Sequence, residues 1–235
     1  MALPKIDVPI YDLLLPISKK TVKYRPFLVK EEKILLMAME TNEEKSIIDA
    51  IEQIVGNCIQ GGVDIRDIPM VDFELLFLHI RARSVGEMVD LQYKCNNDLE
   101  GKPCGNLVDV SVDLLKVSPT NTESNSNIKL SSGVGITLKY PTLRSVDITS
   151  EDENAFIDIL YNNFDYIYDD ESIYYSKDIL REEFIDFVES LTGNDFKKIK
   201  EFFLSLPKLS IDLNFNCTKC GYSKVLTLEG IKSFF

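Results

Sequence analysis

The sequence has no tryptophan and a single histidine, His79, so the commonest general acid–base side chain occurs once. No glycine-rich loop of the kind that cradles phosphates is present. Positive charge is scarce: 26 Lys and Arg stand against 38 Asp and Glu, a net charge of −12. That balance repels phosphate backbones and anionic lipid surfaces unless a local basic patch overrides it, so neither nucleic acid nor membrane is expected as a partner. No apolar run approaches the roughly 20 residues that cross a bilayer. The opening stretch MALPKIDVPIYDLLLP mixes Lys5, Asp7 and Asp12 into its apolar residues, unlike a signal peptide, and a cytosolic product is expected. Five cysteines are too few for a disulfide scaffold, and an odd count suits reduced thiols.

What is present is ample core material, 45% hydrophobic residues in a chain of 235, enough for one large domain or two small ones. Alternation through KIDVPIYDL and TVKYRPF, with a turn at Lys19-Lys20, predicts an N-terminal hairpin, and Pro9 favours an edge strand. VKEEKILLMAME (29–40) predicts a short helix, with Glu31 and Glu32 in a charged first turn. Ile47, Ile51, Ile54, Val55 and Cys58 recur at helical spacing before Gly61-Gly62. Asp72 is placed to cap a further, largely apolar helix, FELLFLHIRARSVG, ending near Gly86.

MVDLQYKC and NLVDVSVDL alternate on either side of a loop, so 88–114 reads as a hairpin with Cys95 and Cys104 at its tip. SPTNTESNSN (118–127) is a polar break, and the strand GITLKY follows it. From 151 the period turns helical through Phe156, Ile159, Leu160 and Phe164, then Leu180 to Leu191, then Phe196 to Leu206, with Asn194 a cap for the third helix and Pro207 its end. A final hairpin, KLSIDLNFNC with YSKVLTLEG, carries Cys217 and Cys220 at its tip.

Two hairpins each ending in Cys-Gly form the arrangement of a zinc ribbon, in which four thiolates surround one tetrahedral ion. Cys217-x2-Cys220-Gly221 has the usual spacing. Cys95-x8-Cys104-Gly105 departs from it and reads as a lengthened knuckle. The expected metal ligands are Cys95, Cys104, Cys217 and Cys220, holding one structural zinc per chain. Four unrelated reduced thiols, or a disulfide within one pair, are the alternatives. A site of four cysteines is closed to water and implies no catalysis.

Other candidates have plainer readings. His79 sits in an apolar helix without a nucleophile at recognisable spacing, and Cys58 falls on a buried stripe. The acidic run YDDES (168–172) lacks the ligand spacing of a calcium loop and reads as a solvated loop. Tyr166, Tyr168, Tyr174 and Tyr175 are compatible equally with core packing and with an interaction surface. Arg81 and Arg83 read either as surface charges or as anchors into a neighbouring subunit.

The phrase from Arg25 to Leu36, RPFLVKEEKILL, and the helix end Arg81-Ala82-Arg83-Ser84-Val85-Gly86-Glu87 resemble the baseplate protein family of T-even-type contractile-tailed phages, in particular its hub subunits and hub assembly proteins. The likeness covers residues 1–117 and continues through ITLKYPTL to the last cysteine pair. It implies a non-enzymatic virion or assembly protein of the tail baseplate hub, a late protein contacting other baseplate and hub proteins, in the host cytoplasm during assembly and in the virion tail. It supplies no catalytic residue.

The expected fold is α+β: a mixed or antiparallel sheet with an N-terminal hairpin, a helical insertion and a zinc-ribbon-like lobe. The expected segments are 1–117, ending in the first cysteine hairpin; a polar loop, 118–127; a strand plus helical insertion, 128–207; and 208–235, which completes the ribbon. Two separable domains divided near 118–127 are the alternative. The competing functions are a zinc-ribbon adaptor binding nucleic acid or a polymerase, which predicts salt-sensitive binding, and a metal-dependent enzyme, which needs an exchangeable ligand position.

Overall fold

The computed structural model describes residues 6–41, 43–123, 125–146 and 155–234. The expected first strand's Lys5, Ser124 of the polar loop, and 151–154 of the helical stretch lie outside the described residues. The fold is α+β, mixing helices with small antiparallel sheets. The chain forms two compact units: one made of residues up to Ile65, Val71–Thr120 and the chain from Lys208, the other of Arg66–Met70 and Asn121–Pro207.

In the first unit, strands Tyr11–Leu14, Thr21–Tyr24 and Ile59–Gln60 form an antiparallel sheet in that order. The N-terminal hairpin is therefore shorter than its alternating sequence suggests. Pro9, which has no N–H for a ladder, lies before the first strand, and Ile6 and Ile10 are exposed. Helices Val29–Thr41 and Glu44–Cys58 follow, packed on each other.

Helix Met70–Val85 is buried on more than one face, with Phe73, Leu76, Phe77, Leu78 and Ile80 all in the core. Asp72 does not cap this helix, which begins two residues earlier. Its buried carboxylate instead accepts the backbone N–H groups of Ile17 (3.0 Å) and Ser18 (2.7 Å), fixing the turn of the N-terminal hairpin from 55 residues away. Asp72→Ala leaves those two donors without their acceptor. It should cost about 2–3 kcal/mol in chemical denaturation, since hydrogen bonds to a charged group are the strong ones. A loss below about 0.5 kcal/mol would mean that water satisfies the turn equally well.

Two hairpins complete the unit. Met88–Lys94 pairs with Leu107–Asp113 in unbroken register from Met88↔Asp113 to Lys94↔Leu107. Leu209–Asn216 pairs with Ser223–Glu229, and Ser118–Pro119 joins its other side opposite Leu209 and Ser210. The polar stretch 118–127 is thus strand at both ends, because Asn127 opens the strand Asn127–Lys129 of the second unit. The long hairpins touch through Leu107–Asp113 and Leu209–Asn216, whose inner side chains Val110, Val112, Leu209 and Phe215 are buried.

The second unit is a four-stranded antiparallel sheet in the order Ile173–Tyr175, Phe164–Tyr168, Gly135–Leu138, Asn127–Lys129. Its core packs Ile136, Leu138, Leu160, Phe164, Phe184 and Ile199 together. The helical period expected to run through Phe164 stops one residue earlier. The Asn163 side chain donates to the Ile159 carbonyl (2.7 Å), and Phe164 turns into a strand whose ring stacks on Phe184 at 4.5 Å. Helix Gly193–Leu204 is capped by Thr192, whose hydroxyl accepts from the Asp195 N–H (3.2 Å), and not by Asn194, which lies inside the helix. Among the described residues no helix is long and apolar enough to cross a membrane.

Candidate metal centre

The tips of the two long hairpins meet. Strand Met88–Lys94 delivers Cys95 and strand Leu209–Asn216 delivers Cys217, each one residue past the end of its strand. Each turn is then closed by the same backbone pattern. Gly105 N–H donates to the Cys95 carbonyl (3.0 Å) and Gly221 N–H to the Cys217 carbonyl (2.9 Å), while Cys95 and Cys217 donate to the carbonyls of Asn106 and Tyr222 (2.8 Å each). Both glycines sit at positive φ, 69° and 72°, where a side chain is strained. The Cys-Gly echo in the sequence therefore reflects one turn geometry used twice.

The eight-residue spacer between Cys95 and Cys104 is not a loose loop. Asp98–Leu99 and Lys102–Pro103 pair as a miniature hairpin, and its two central residues, Glu100 and Gly101, both have positive φ (52° and 85°), the pattern of a type I′ turn. At the base of this hairpin, Cys104 N–H donates to the Asn97 carbonyl at 2.8 Å. Removing Asp98–Pro103 from the sequence leaves Cys-Asn-Asn-Cys-Gly, the two-residue knuckle of the other half. A chain with 98–103 excised should keep its metal stoichiometry and lose less than about 2 kcal/mol of stability, since the miniature hairpin contributes no buried side chain. Loss of the metal in that chain would show that the spacer itself positions Cys104.

All four sulfur atoms lie within 4.8 Å of one another. The Cys95–Cys220 and Cys104–Cys217 sulfur pairs, each spanning the two hairpins, are 3.7 and 3.9 Å apart. A disulfide brings sulfurs to about 2.0 Å, whereas a tetrahedral ion with bonds of about 2.3 Å needs sulfur–sulfur edges of about 3.8 Å. The spacing fits the second arrangement, and the four cysteines could hold a metal ion. This cluster is compatible with a zinc-ribbon-like lobe.

The surroundings favour ionised sulfur at Cys217 and oppose it at Cys95 and Cys104. Asn97 and Asn106 donate side-chain N–H to the sulfurs of Cys220 (3.7 Å) and Cys217 (3.6 Å). Burial opposes ionisation of Cys217, but the backbone N–H groups of Cys220 and Lys219 and the neighbouring thiols bring it down to about 6. The backbone N–H of Asn97 favours the thiolate of Cys95, yet burial and the other three thiols push it up to about 11. At Cys104 the backbone N–H of Asn106 again favours the thiolate, but burial with Cys220 and Cys217 outweighs it and raises the thiol. Buried like charges this close cannot all form without a cation among them, and a divalent ion removes that conflict. The two asparagines went unmarked in the sequence, although each follows a cysteine by two residues.

The remaining candidates fall elsewhere. Cys58 is fully buried and pushed up to about 11 by burial, an inert core thiol. His79 packs edge-on against Tyr24 at 6.4 Å. Arg83 pairs with Glu87 and lies 4.9 Å from the Tyr11 ring centre, so it is held within its own chain, and Arg81 is half-buried. In the acidic run, Asp169 accepts the N–H groups of Glu171 and Ser172 and so makes the turn between two strands.

The family described as T4 bacteriophage base plate protein matches residues 8–235. The baseplate hub assembly protein gp26 of Enterobacteria phage T4 is 22% identical over 221 residues, which cover 93% of this chain and 94% of that protein. No solved structure matches. The match takes in both cysteine hairpins and nearly all of the chain between and around them, and on that extent the chain belongs to the T4 bacteriophage base plate protein family.

Proposed function

We propose that this chain is a non-enzymatic structural or assembly component of a contractile phage tail baseplate hub, acting through contacts with other baseplate and hub proteins. The observation that carries this reading is the end-to-end likeness to a baseplate hub assembly protein, which takes in both units. We also propose that Cys95, Cys104, Cys217 and Cys220 hold one structural zinc. Four thiolates fill a tetrahedral ion and leave no position for water or substrate, so the centre joins two cysteine pairs with 112 residues between them in sequence and performs no reaction. The residues between the hairpins, including the Asn121–Pro207 part of the second unit, then form an insertion within one ribbon. A net charge of −12 disfavours the nucleic-acid adaptor.

Assembly would take place in the infected host's cytoplasm, with the product in or on the tail. The test is to delete the gene from the phage genome and supply it from a plasmid. Without it, electron microscopy of lysates should show heads but few complete tails, and infectious titre should fall at least about a hundredfold; the plasmid should restore both. Normal tails at normal titre in the deletion would overturn the proposal.

A further inference from the structure

The second unit carries an apolar groove of about 560 Å³ beside the edge of its sheet. Ile167, Ile179, Phe184 and Phe187 make its floor and walls, and Tyr174 stands at its side. Its rim is acidic: Asp169, Asp178 and Glu183 all line it, and among the described residues no lysine or arginine does. The two cations nearest in sequence are directed elsewhere. Lys177 lies over the Tyr175 ring at 5.8 Å, and Arg181 is bound to Asp158 through its Nε at 2.8 Å. Between Phe164 and Glu189 there are nine acids against two bases, more than half of the chain's net charge in a segment of 26 residues.

An apolar floor ringed by carboxylates selects its occupant by both properties. An acidic or purely polar segment gains nothing from the floor or is repelled by the rim. A segment that alternates lysine or arginine with apolar side chains can bury its apolar residues and place its cations beside Asp178 and Glu183, with Asp169, whose Oδ2 accepts the Tyr174 hydroxyl at 3.2 Å, adding negative charge at the rim. The strand Ile173–Tyr175, with 54%, 46% and 48% of its residues' surfaces exposed, extends the apolar wall outward. Tyrosine suits such a wall because it offers a large contact area at small entropic cost and keeps a polar end in water.

We infer that this groove docks a basic, apolar segment of another baseplate protein. The inference rests on the baseplate reading for the identity of the partner, and on the groove alone for its chemistry. The surface acts by charge and shape and needs no metal.

Fluorescence anisotropy with the full chain tests it, using three labelled probe peptides of equal length that alternate Leu with Lys, Leu with Glu, and Ser with Lys. The Leu–Lys probe should bind, more weakly as salt rises, and the other two should bind at least about tenfold more weakly. Asp178→Lys and Tyr174→Ser alter exposed side chains and leave the core intact. Each should weaken Leu–Lys binding at least about tenfold while the thermal transition stays in place. Equal binding of Ser–Lys and Leu–Lys, or binding indifferent to both substitutions, would overturn the inference.

Co-expression of the wild-type chain and Asp178→Lys with the phage's other baseplate proteins, one at a time, separates the two readings. A partner retained by the wild type and lost by the variant supports both. A partner retained equally by both chains leaves the baseplate reading standing and sinks the groove. Groove-dependent probe binding with no baseplate partner retained sinks the assembly role and leaves only the groove's chemistry.

Discussion

Protein purified without added metal should carry about one zinc per chain by elemental mass spectrometry, and Cys217→Ser should carry almost none. Cys58→Ser, which alters a core thiol remote from the four, should keep its zinc. In small zinc domains the metal is worth on the order of 10 kcal/mol to folding, because the thiolates it needs are not assembled in the unfolded chain. Here the ion would join the tips of two hairpins, where the shared core narrows to Val110 and Phe215 with the cysteines themselves, beyond the larger core of Val112, Leu209 and Leu228. Chelation should therefore open this lobe, and proteases should then cleave near both hairpin tips. The second unit has its own aromatic core and should keep its structure under the same treatment. A metal-free, fully folded wild type would mean that the four sulfurs converge for packing alone.

Much of this centre is legible in the sequence because its backbone geometry writes itself in residue types. Positive φ after the second cysteine of each pair demands glycine, so Cys-Gly appears twice although the spacers differ. What the spacer does is harder to read. The run NNDLEGKP is too short to show an alternating period, and only Glu100-Gly101 hints at its turn. The strand Phe164–Tyr168 is hidden for the opposite reason. Phe156, Leu160 and Phe164 continue a helical spacing that the chain abandons, and the interruption is made by an Asn163 side chain whose intent cannot be seen locally.

Residues with distant partners are the least legible of all. Asp72 looks like a cap, because an acid before an apolar helix is one wherever nothing else competes for it; here two N–H groups from the N-terminal turn do. Thr192 and Asn194 are both good caps by type, and the choice falls to the one whose oxygen reaches the Asp195 N–H. The stretch KEEK reads as a charged first turn, and for Glu32 and Lys33 that is sufficient. For Glu31 it is not, because this carboxylate is completely buried.

Replacing Arg25 with methionine should destabilise the first unit by about 3–5 kcal/mol, through the charge it leaves behind. The Arg25 guanidinium donates to Glu31 (3.1 Å), to the Asn57 carbonyl (3.0 Å) and to the Pro26 carbonyl (2.8 Å), tying the N-terminal sheet to the start of one helix and the end of the next. The second Glu31 oxygen accepts the Leu28 N–H at 2.8 Å, as a capping glutamate does at the third position of a helix. Burial works against ionisation of Glu31, but Arg25, the Leu28 N–H and Lys30 outweigh it and hold the carboxyl below the usual range. Its folded value thus lies below its unfolded one. The stabilisation is present at neutral pH and is lost as pH falls through the acidic range, toward the lowered folded value. Without Arg25 burial favours the protonated carboxyl, so acid relieves the deficit, and urea titrations of the wild type and Arg25→Met should diverge most above the ordinary carboxylate range and converge as pH falls. The apolar pair Arg25→Met with Glu31→Met should recover most of the deficit, because it removes both the charge and the need to pair it. Equal stability of Arg25→Met and the wild type at neutral pH would show that Lys30, whose ammonium lies 3.3 Å from Glu31, satisfies the buried carboxylate without help.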